Sequence, residues 1–348
     1  MTRVVELRSD TFTRPTEAMR RAMYEAEVGD DVWNEDPTVH RLEEMAAECT
    51  GKEAAVFVTS GTQGNLTAIL SHTRSGQEII LGNRSHIFVN EAGGAAALGG
   101  VQTRPVTNGP GGRINPDDIR NAIRGTDIHH PPTGLLALEN SHNAGGGGVM
   151  SPEETALLAG IAHQAGVPVH LDGARLFNAA VAQGVPAAAL TAPVDSVTFC
   201  LSKGLGSPVG SILCGTSEYI EQARRWRKML GGGTRQVGIL AAAGIVSLTE
   251  MVDRLVEDHA NARQLAEGLA AIKGIDIDPD SVVTNILFFD VAPDFASTFV
   301  ERLAERGVRV SGGGGHLRAV TSYEVNRDDI EYALAIINQV AGAELAVA

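Results

Sequence analysis

A lysine that directly follows an apolar run is the residue of this sequence most suited to covalent chemistry. Lys203 comes after SVTFCLS (196–202), and small residues follow it in GLGSPVG (204–210). A lysine in a tight, partly desolvated turn can lose its proton and attack a carbonyl carbon, forming a Schiff base. A lysine that ends a strand and turns out to solvent gives the same local pattern. The chemistry therefore depends on which residues accompany it.

Two further stretches offer what pyridoxal phosphate requires besides a lysine. The cofactor needs a carboxylate near its pyridine nitrogen, because the protonated ring is the better electron sink. Asp172, at the end of VPVHLD (167–172), could supply it. The phosphate needs free backbone amides, and SGTQGN (60–65) places a small-residue turn at the start of a helix pattern, where amides and the helix dipole favour an anion. Ordinary helix capping is the alternative interpretation of this stretch.

Sequence motifs of other enzyme classes are missing. The chain has no G-x-x-x-x-G-K-[ST] and no strict G-x-G-x-x-G that opens a helix, which argues against a P-loop enzyme and a simple dinucleotide binder. It has no H-E-x-x-H, no cysteine–histidine cluster and no G-x-S-x-G elbow. We therefore predict no metal site.

The elements that must position these residues alternate between strand and helix patterns. The apolar runs are AAVFVT (54–59), GLLALE (134–139), VPVHLD (167–172), SVTFCLS (196–202) and GSILCG (210–215). Between two of them, Ser151 and Glu154 have capping-box spacing and Gly166 is placed to end the helix. This alternation predicts an α/β fold with a mostly parallel sheet covered on both faces. Ligands of such sheets bind beyond the carboxyl ends of the strands, where Thr62, Asp172 and Lys203 converge.

The pattern changes after about residue 245. A long helical segment (249–274) leads to VVTNILFFDV (282–291), a helix around 293–306, two short strand patterns and a final helix. This order is typical of a smaller α+β domain. The sequence predicts an N-terminal arm over 1–15, a large domain over 16–245 and a small domain over 246–348.

Composition narrows the function classes further. Of 348 residues, 43% are apolar and 20% charged, as in an ordinary soluble enzyme, and the net charge is −14. That charge argues against nucleic acid and anionic membranes as partners. No apolar run spans a bilayer, and the amino terminus does not resemble a signal peptide. Cys49, Cys200 and Cys214 match no metal spacing, so we expect reduced thiols and a cytoplasmic location.

Nearly the whole chain resembles the threonine aldolases, pyridoxal-phosphate enzymes with the aspartate-aminotransferase-type fold (fold type I). The resemblance rests on blocks in family order: LRSDTFTRPTEAM (7–19), GDDVWNEDPTVHRLEE (29–44), FVTSGTQGNL (57–66), HIFVNEAG (86–93), LENSHNAGGGGV (138–149), LDGAR (171–175), LSKGLGSPVG (201–210), GGGTRQ (231–236) and HLRAVTS (316–322). It implies pyridoxal 5'-phosphate as cofactor and the cleavage of L-threonine or L-allo-threonine to glycine and acetaldehyde.

The resemblance also implies a role for each matching residue. Lys203 would carry the cofactor, Asp172 would pair with the ring nitrogen, and His86 would stack on the ring. The phosphate would be held by Ser60, Gly61, Thr62 and, from a neighbouring subunit, Arg235. The substrate carboxylate would be held by Ser9, Arg175 and Arg318, with Arg175 also near the phenolic oxygen of the cofactor. His86 and His129 are the candidate bases, and a bound water or a phosphate oxygen could serve instead.

The resemblance leaves substrate and reaction partly open. The family commonly has Tyr-Gly where this chain has Trp33 and Asn34, and that aromatic lines the site near the substrate side chain, so bulkier substrates such as phenylserine could compete. Another reaction on the same scaffold (β-elimination, aldol transfer or transamination) is the alternative, and a non-catalytic binding protein is a second. The family relation implies a homotetramer, arranged as a dimer of dimers with shared active sites.

Overall fold

A computed structural model describes residues 3–292 and 296–345 of the chain. Its strands are β1 Val5–Glu6, β2 Ala54–Val58, β3 Glu78–Gly82, β4 Gln102–Val106, β5 Thr133–Glu139, β6 Val169–Asp172, β7 Ser196–Cys200, β8 Ser211–Gly215, β9 Ile275–Asp276, β10 Ile286–Val291, β11 Val308–Arg309, β12 Ser311–Gly313 and β13 His316–Val320. Its α-helices are α1 Glu17–Glu25, α2 Pro37–Thr50, α3 Gly61–His72, α4 His86–Val89, α5 Gly94–Gly99, α6 Pro116–Ala122, α7 Pro152–Gln164, α8 Leu176–Gln183, α9 Ala187–Thr191, α10 Ser217–Met229, α11 Gly238–Val246, α12 Leu255–Ala270, α13 Ala296–Glu305 and α14 Arg327–Leu345. A π-helical turn, Ser247–Met251, follows α11.

The large sheet confirms the predicted α/β class. Its strand order is β2-β8-β7-β6-β5-β3-β4. The neighbouring pairs among β4, β3, β5, β6 and β7 are parallel, and β8 runs antiparallel to both β7 and β2. Because β2 therefore runs in the same direction as β5, β6 and β7, the carboxyl ends of these four strands lie at one edge of the sheet.

Successive strand residues point into different apolar clusters, so both faces of the sheet are covered. Phe57 and Ile212 pack in the main cluster with residues of α1, α2 and α11. Their neighbours Val56 and Leu213 pack in another cluster with residues of α3 and α10. This alternation is what the period of a strand requires when helices lie on both sides.

Helix α7 shows why these elements begin and end where they do. The Ser151 hydroxyl accepts from the Glu154 amide at 3.2 Å, and the Glu154 carboxylate accepts from the Ser151 amide at 2.8 Å. This is the predicted capping box, which satisfies two amides that have no partner within the helix. Beyond the other end Gly166 adopts φ 72°, a left-handed conformation that glycine tolerates best.

The second sheet belongs to the carboxyl-terminal part of the chain. It has the order β12-β13-β10-β9, and all its pairs are antiparallel. Near it, β1 pairs in parallel with β11, and Val5 and Leu7 pack in the apolar cluster formed by α12, α13, α14 and this sheet. The segment around β1 is thus attached to the carboxyl-terminal core, and the three-part domain division stays a prediction.

The long helix expected over 249–274 differs in detail. The structure divides that segment into the π-helical turn and α12, which begins at Leu255. The division matches a change of core, because Leu255 packs in the main cluster while Ala262 and Leu265 pack in the carboxyl-terminal one. Of the helix expected around 293–306, residues 293–295 lie outside the described residues. Within the described part of the chain, none of the helices has the length and apolar character that a membrane span requires.

Candidate active site

Three charged residues lie at the ends of adjacent strands, at one edge of the large sheet. Glu139 and Asp172 are the last residues of β5 and β6 and lie side by side in register. Lys203 follows β7, which is paired with β6. The predicted convergence of Asp172 and Lys203 at one edge is therefore present in the structure.

The loop after β7 holds Lys203 in a defined turn. Its carbonyl oxygen accepts from the Gly206 amide at 2.8 Å and from the Thr13 hydroxyl at 3.1 Å. The ammonium group, half-buried, contributes to lowering the pKa of Asp10 and opposes protonation of His86. The lysine side chain thus lies among the polar groups of the site rather than out in solvent.

Asp172 is a buried carboxylate without a cation. It is 1% exposed, and its oxygens accept from the Asn65 side-chain amide at 2.8 Å and from the Ala174 amide at 3.1 Å. Among the described residues it has no ion-pair partner. A buried carboxylate is costly unless a positive group pairs with it. A protonated pyridine nitrogen would supply that positive group, so the site fits the ring of pyridoxal phosphate.

His86 begins α4 beside Asp172 and is held by two glutamates. Its amide donates to Glu139 Oε2 at 2.7 Å, and its ring Nδ1 lies 2.8 Å from Glu91 Oε1. The hydrogen bond to Glu91 raises the pKa of His86 against the effect of burial. Side-chain ligand atoms of His86, Glu91 and Asp172 lie within 4.8 Å of one another. With Nδ1 donating to Glu91, the imidazole leaves Nε2 available to a ligand.

Glu139 connects the two ends of the site. One carboxylate oxygen accepts from the His86 amide and the other from the Asn143 amide, both at 2.7 Å. Burial and the neighbouring charge of Asp172 raise the pKa of Glu139 to about 7. Glu139 thereby fixes the start of α4 relative to the turn that carries Asn143.

The start of α3 presents backbone amides just beyond β2. The Ser60 hydroxyl caps the helix by accepting from the Gln63 amide at 3.1 Å. The amides of Gly61 and Thr62 stand in the first turn, where no carbonyl of the helix can accept from them. A Cβ at Gly61 would lie 2.9 Å from Cys200 Sγ, so the helix start packs directly against the end of β7. The free amides fit a phosphate group.

Arg175 and Arg318 meet at the side chain of Asn143. Arg175 makes a paired interaction with Asp10, with both N···O distances 2.7 Å, and a third bond of 3.2 Å to Asn143 Oδ1. Burial would raise the pKa of Asp10, but the charge and hydrogen bonds of Arg175 bring it to about 2. Arg318 donates to the same Asn143 oxygen at 2.9 Å.

Arg318 lacks the carboxylate that Arg175 has. Among the described residues it has no ion-pair partner, and its Nε is buried without a hydrogen bond. Burial and the charge of Arg175 lower the pKa of Arg318 to about 10. A carboxylate ligand would satisfy both the charge and the unpaired nitrogen. Ser9 lies next to Asp10 in sequence, and its hydroxyl accepts from the Thr11 amide at 3.2 Å.

Three predicted site residues lie outside this group within the single chain. His129 is 82% exposed and pairs with Asp127 in the loop before β5. It therefore lies near the amino end of β5, and Glu139 stands at the other end of that strand, which is about 20 Å long. Trp33 is 72% exposed, and Arg235 forms a surface ion pair of 2.9 Å with Asp30 in the same region.

The sequence-based interpretation assigned no role to five residues that organise the site. These are Asp10, Asn65, Glu91, Glu139 and Asn143. Each lies inside one of the quoted sequence blocks, so the blocks marked the right segments. The pairing of one side chain with another across the fold, such as Asp10 with Arg175, has no signal in a single sequence.

Comparisons with known proteins relate nearly the whole chain to one family. The beta-eliminating lyase family model matches residues 6–292. Low-specificity L-threonine aldolase 1 of Arabidopsis thaliana is 45% identical over 344 residues, covering 97% of this chain and 96% of that protein. Low specificity L-threonine aldolase of Escherichia coli (strain K12) is 46% identical over 327 residues, covering 94% and 96%.

Solved structures share the fold at low sequence identity. Threonine aldolase of Leishmania major has a TM-score of 0.81 at 20% identity, covering 96% of this chain and 98% of that one. Sphingomonas wittichii serine palmitoyltransferase has a TM-score of 0.77 at 20% identity, covering 98% and 88%. These neighbours have the fold type I architecture predicted from the sequence.

Proposed function

The chain belongs to the beta-eliminating lyase family and, within it, to the low-specificity L-threonine aldolases, and we propose that the site at the carboxyl edge of its large sheet cleaves β-hydroxy-α-amino acids. L-Threonine and L-allo-threonine would give glycine and acetaldehyde, with pyridoxal phosphate as cofactor. The observation that carries the proposal is the buried carboxylate of Asp172, which has no cation in the described structure and lies one strand away from the Lys203 turn.

The chain offers a group for each part of the cofactor. Lys203 would hold it covalently, and Asp172 would pair with the ring nitrogen. Ser60, Gly61 and Thr62 would bind the phosphate, and His86 would lie against the ring. When bound, the cofactor supplies an electron sink for the pair of electrons released as a bond to Cα breaks.

The arginines would decide which bond breaks. Within the described structure Arg318 has no ion-pair partner and a buried, unpaired Nε, so it is the stronger candidate for the substrate carboxylate. Arg175 would act beside it through its remaining contact at Asn143, with Ser9 completing the clamp. Charge-assisted bonds to a planar carboxylate fix orientation as well as affinity, so the clamp would set the Cα–Cβ bond in the reactive direction.

A base must take the proton of the β-hydroxyl group. As that O–H proton leaves, the Cα–Cβ bond breaks, the β-carbon becomes the aldehyde carbonyl, and Cα takes up a proton to complete glycine. We favour His86, because Glu91 binds its Nδ1 and its Nε2 has no hydrogen-bond partner among the described residues. His129 is a second candidate, and a bound water or a phosphate oxygen is a third.

We propose that the active sites are shared between subunits of a homotetramer, arranged as a dimer of dimers. His129 lies at the opposite edge of the sheet from Asp172, and Trp33 and Arg235 are exposed, so each could serve only a site to which another subunit contributes. Arg235 would then reach the phosphate of a neighbouring site.

Cys49, Cys200 and Cys214 are all free thiols, which supports a cytoplasmic location.

Product analysis of wild type and Lys203→Ala tests the proposed reaction. Each protein is given pyridoxal phosphate and either L-threonine or L-allo-threonine, and glycine and acetaldehyde are quantified. We expect equimolar products from wild type and none from the variant. If wild type binds the cofactor but releases neither product, the assignment of a cofactor site would stand and the proposed cleavage reaction would be wrong. Conversion of the cofactor to its amine form by an oxoacid would instead indicate transamination.

Trp33 is the residue proposed to favour larger substrates. The resemblance implies that it stands where the family commonly has tyrosine. Asn34 after it takes φ 58°, a left-handed conformation that glycine would also adopt. We expect Trp33→Tyr to lower the ratio of phenylserine to threonine turnover. An unchanged ratio would show that the tryptophan does not set the preference.

A further inference from the structure

A chain of buried polar side chains runs behind Asp172, away from the space for the substrate. Asn65 and His72 lie on α3, His170 on β6 and Ser196 at the start of β7. Asn65, His170 and Ser196 are at most 1% exposed, and His72 is half-buried. None of these four residues has a role in the proposed reaction. A connected series of buried polar side chains calls for a function, because burying polar groups is costly unless they are paired with one another.

The amide group of Asn65 joins two carboxylates. Its Nδ2 lies 2.8 Å from Asp172 Oδ2 and 2.8 Å from Glu91 Oε1. Carboxylate oxygens only accept, so the NH2 group must face them and both of its protons are used. Asn65 Oδ1 therefore points the other way, towards His170 Nε2 at 3.1 Å.

This orientation fixes the direction of each hydrogen bond behind it. Because Asn65 Oδ1 can only accept, His170 Nε2 must carry its proton. Nδ1 of the neutral ring then accepts from the Ser196 hydroxyl at 2.9 Å, and the Ser196 oxygen accepts from His72 Nε2 at 2.7 Å. Every donor in the series thus points towards Asp172.

Both histidines are neutral in this environment. Burial lowers the pKa of His170 to about 3 and the pKa of His72 to about 4. A neutral His170 has one donor and one acceptor, as the series requires.

We propose that Asn65 is a positioning residue for the cofactor ring: it holds the Asp172 carboxylate facing the ring nitrogen, it separates that carboxylate from Glu91, and it is itself oriented by His170. The inference rests on the proposed function, since it assumes that Asp172 pairs with that nitrogen. Without Asn65 the carboxylates of Asp172 and Glu91 would lose the amide donor that they share. Asp172 would then keep only the Ala174 amide as a donor and would no longer be held facing the ring nitrogen.

The test compares two ligands: pyridoxal phosphate and its 1-deaza analogue, in which C–H replaces the ring nitrogen. Dissociation constants are measured by equilibrium dialysis for wild type and Asn65→Leu. We expect the variant to bind pyridoxal phosphate about 10- to 100-fold more weakly, the usual effect of losing a bond to a charged group. The dissociation constants of the two proteins for the analogue should agree within about twofold, because the analogue lacks the ring nitrogen with which Asp172 would pair. Equal weakening towards both ligands, or no weakening, would overturn the proposal.

Two further variants guard against general damage to the fold. Thr67→Val is the matched control, because Thr67 is buried on the same helix and its hydroxyl has no hydrogen-bond partner in the described part of the chain. We expect it to bind both ligands as wild type does. At His170, glutamine can still donate to Asn65 Oδ1 and leucine cannot, so His170→Gln should keep the preference for pyridoxal phosphate over the analogue and His170→Leu should reduce it. Loss of that preference in both, or in neither, would contradict the role of His170.

The result is separable from the proposed reaction. If wild type binds pyridoxal phosphate but releases no product from threonine, the proposed reaction fails while the ratio between the two ligands still reports on Asn65. If wild type releases product and Asn65→Leu binds both ligands normally, the reaction stands and the positioning role fails.

Discussion

At the scale of single residues, most of the site consists of charges that restrain one another. Asp10 neutralises Arg175, and Glu91 holds His86. Asp172, Lys203 and Arg318 form no ion pair among the described residues. We assign the first two to the cofactor and the third to the substrate carboxylate. Charged side chains that have an ion-pair partner thus support the site, whereas those without one are the residues that we expect to bind the cofactor or the substrate.

The pH dependence of catalysis tests the pairing of Glu91 with His86. The hydrogen bond from Glu91 raises the pKa of His86 while burial lowers it. In Glu91→Gln the negative charge is gone and burial remains, so the pKa of His86 must fall. If His86 is the base, the acidic limb of the kcat/KM profile moves to lower pH, and the plateau falls by about 10- to 100-fold.

The measurement is kcat/KM for threonine cleavage across the acidic range for wild type, Glu91→Gln and the exposed control Glu153→Gln. Glu153 is exposed in the first turn of α7, where its carboxylate accepts from the Ser151 hydroxyl at 2.7 Å, so its variant should keep the wild-type profile. An acidic limb that stays in place in Glu91→Gln would assign the base to another group.

At the scale of elements, the site depends on where strands end and helices begin. The sequence predicted these positions well wherever local chemistry sets them, as with the Ser151 and Glu154 capping box or the apolar run that ends at Asp172. It did not predict the break before Leu255, because the periodicity continues through it and only the change of core requires it. The network around Asn65 was missed for a similar reason: its partners come from α3, β6 and β7, and only the folded sheet brings them together.

Close packing between α3 and β7 gives a prediction at this scale. A Cβ on residue 61 would lie 2.9 Å from Cys200 Sγ, so Gly61→Ala must displace the helix start from the strand. Overpacking of this kind costs about 1–3 kcal/mol, so we expect pyridoxal phosphate to bind about 5- to 100-fold more weakly. Removal of the sulfur in Gly61→Ala/Cys200→Ala should restore binding. Equilibrium dialysis of both variants and of Cys200→Ala alone decides the matter. An unrestored double variant would mean that the methyl group acts elsewhere.

At the scale of the whole molecule, buried histidines make stability depend on pH. Burial lowers the pKa of His259 to about 4, and its Nε2 lies 3.2 Å from the Asn178 side-chain amide, which suits a neutral ring. The unfolded chain binds a proton at His259 below its ordinary pKa of 6.5, whereas the folded chain does not until about pH 4. Unfolding therefore takes up a proton in this window, and stability contributed by His259 is lost as pH falls. The raised pKa values of Glu139 and Asp258, about 7 and about 6, act in the opposite direction.

His259→Gln isolates this contribution, because glutamine can still accept from Asn178 and does not titrate. We expect the free energy of unfolding of the variant, relative to wild type, to rise as pH falls from 6.5 to 4.5. The limiting slope is about 1.4 kcal/mol per pH unit. Urea unfolding at four pH values measures it. Parallel curves for the two proteins would show that His259 is not held neutral.

The assembly itself can be tested through the position of His129. This residue lies at the amino end of β5 while Glu139, Asp172 and Lys203 lie at the carboxyl edge, so a subunit cannot bring its own His129 to its own lysine. If His129 contributes to catalysis, it does so in a partner's site. Subunits carrying Lys203→Ala and subunits carrying His129→Ala then complement each other, because a mixed pair contains one site with both native residues. With equal co-expression and random pairing, about a quarter of all sites are restored. We therefore expect threonine cleavage in the mixed sample well above that of either variant alone. Activity equal to the mean of the two separate variants would show that His129 and Lys203 do not meet across subunits.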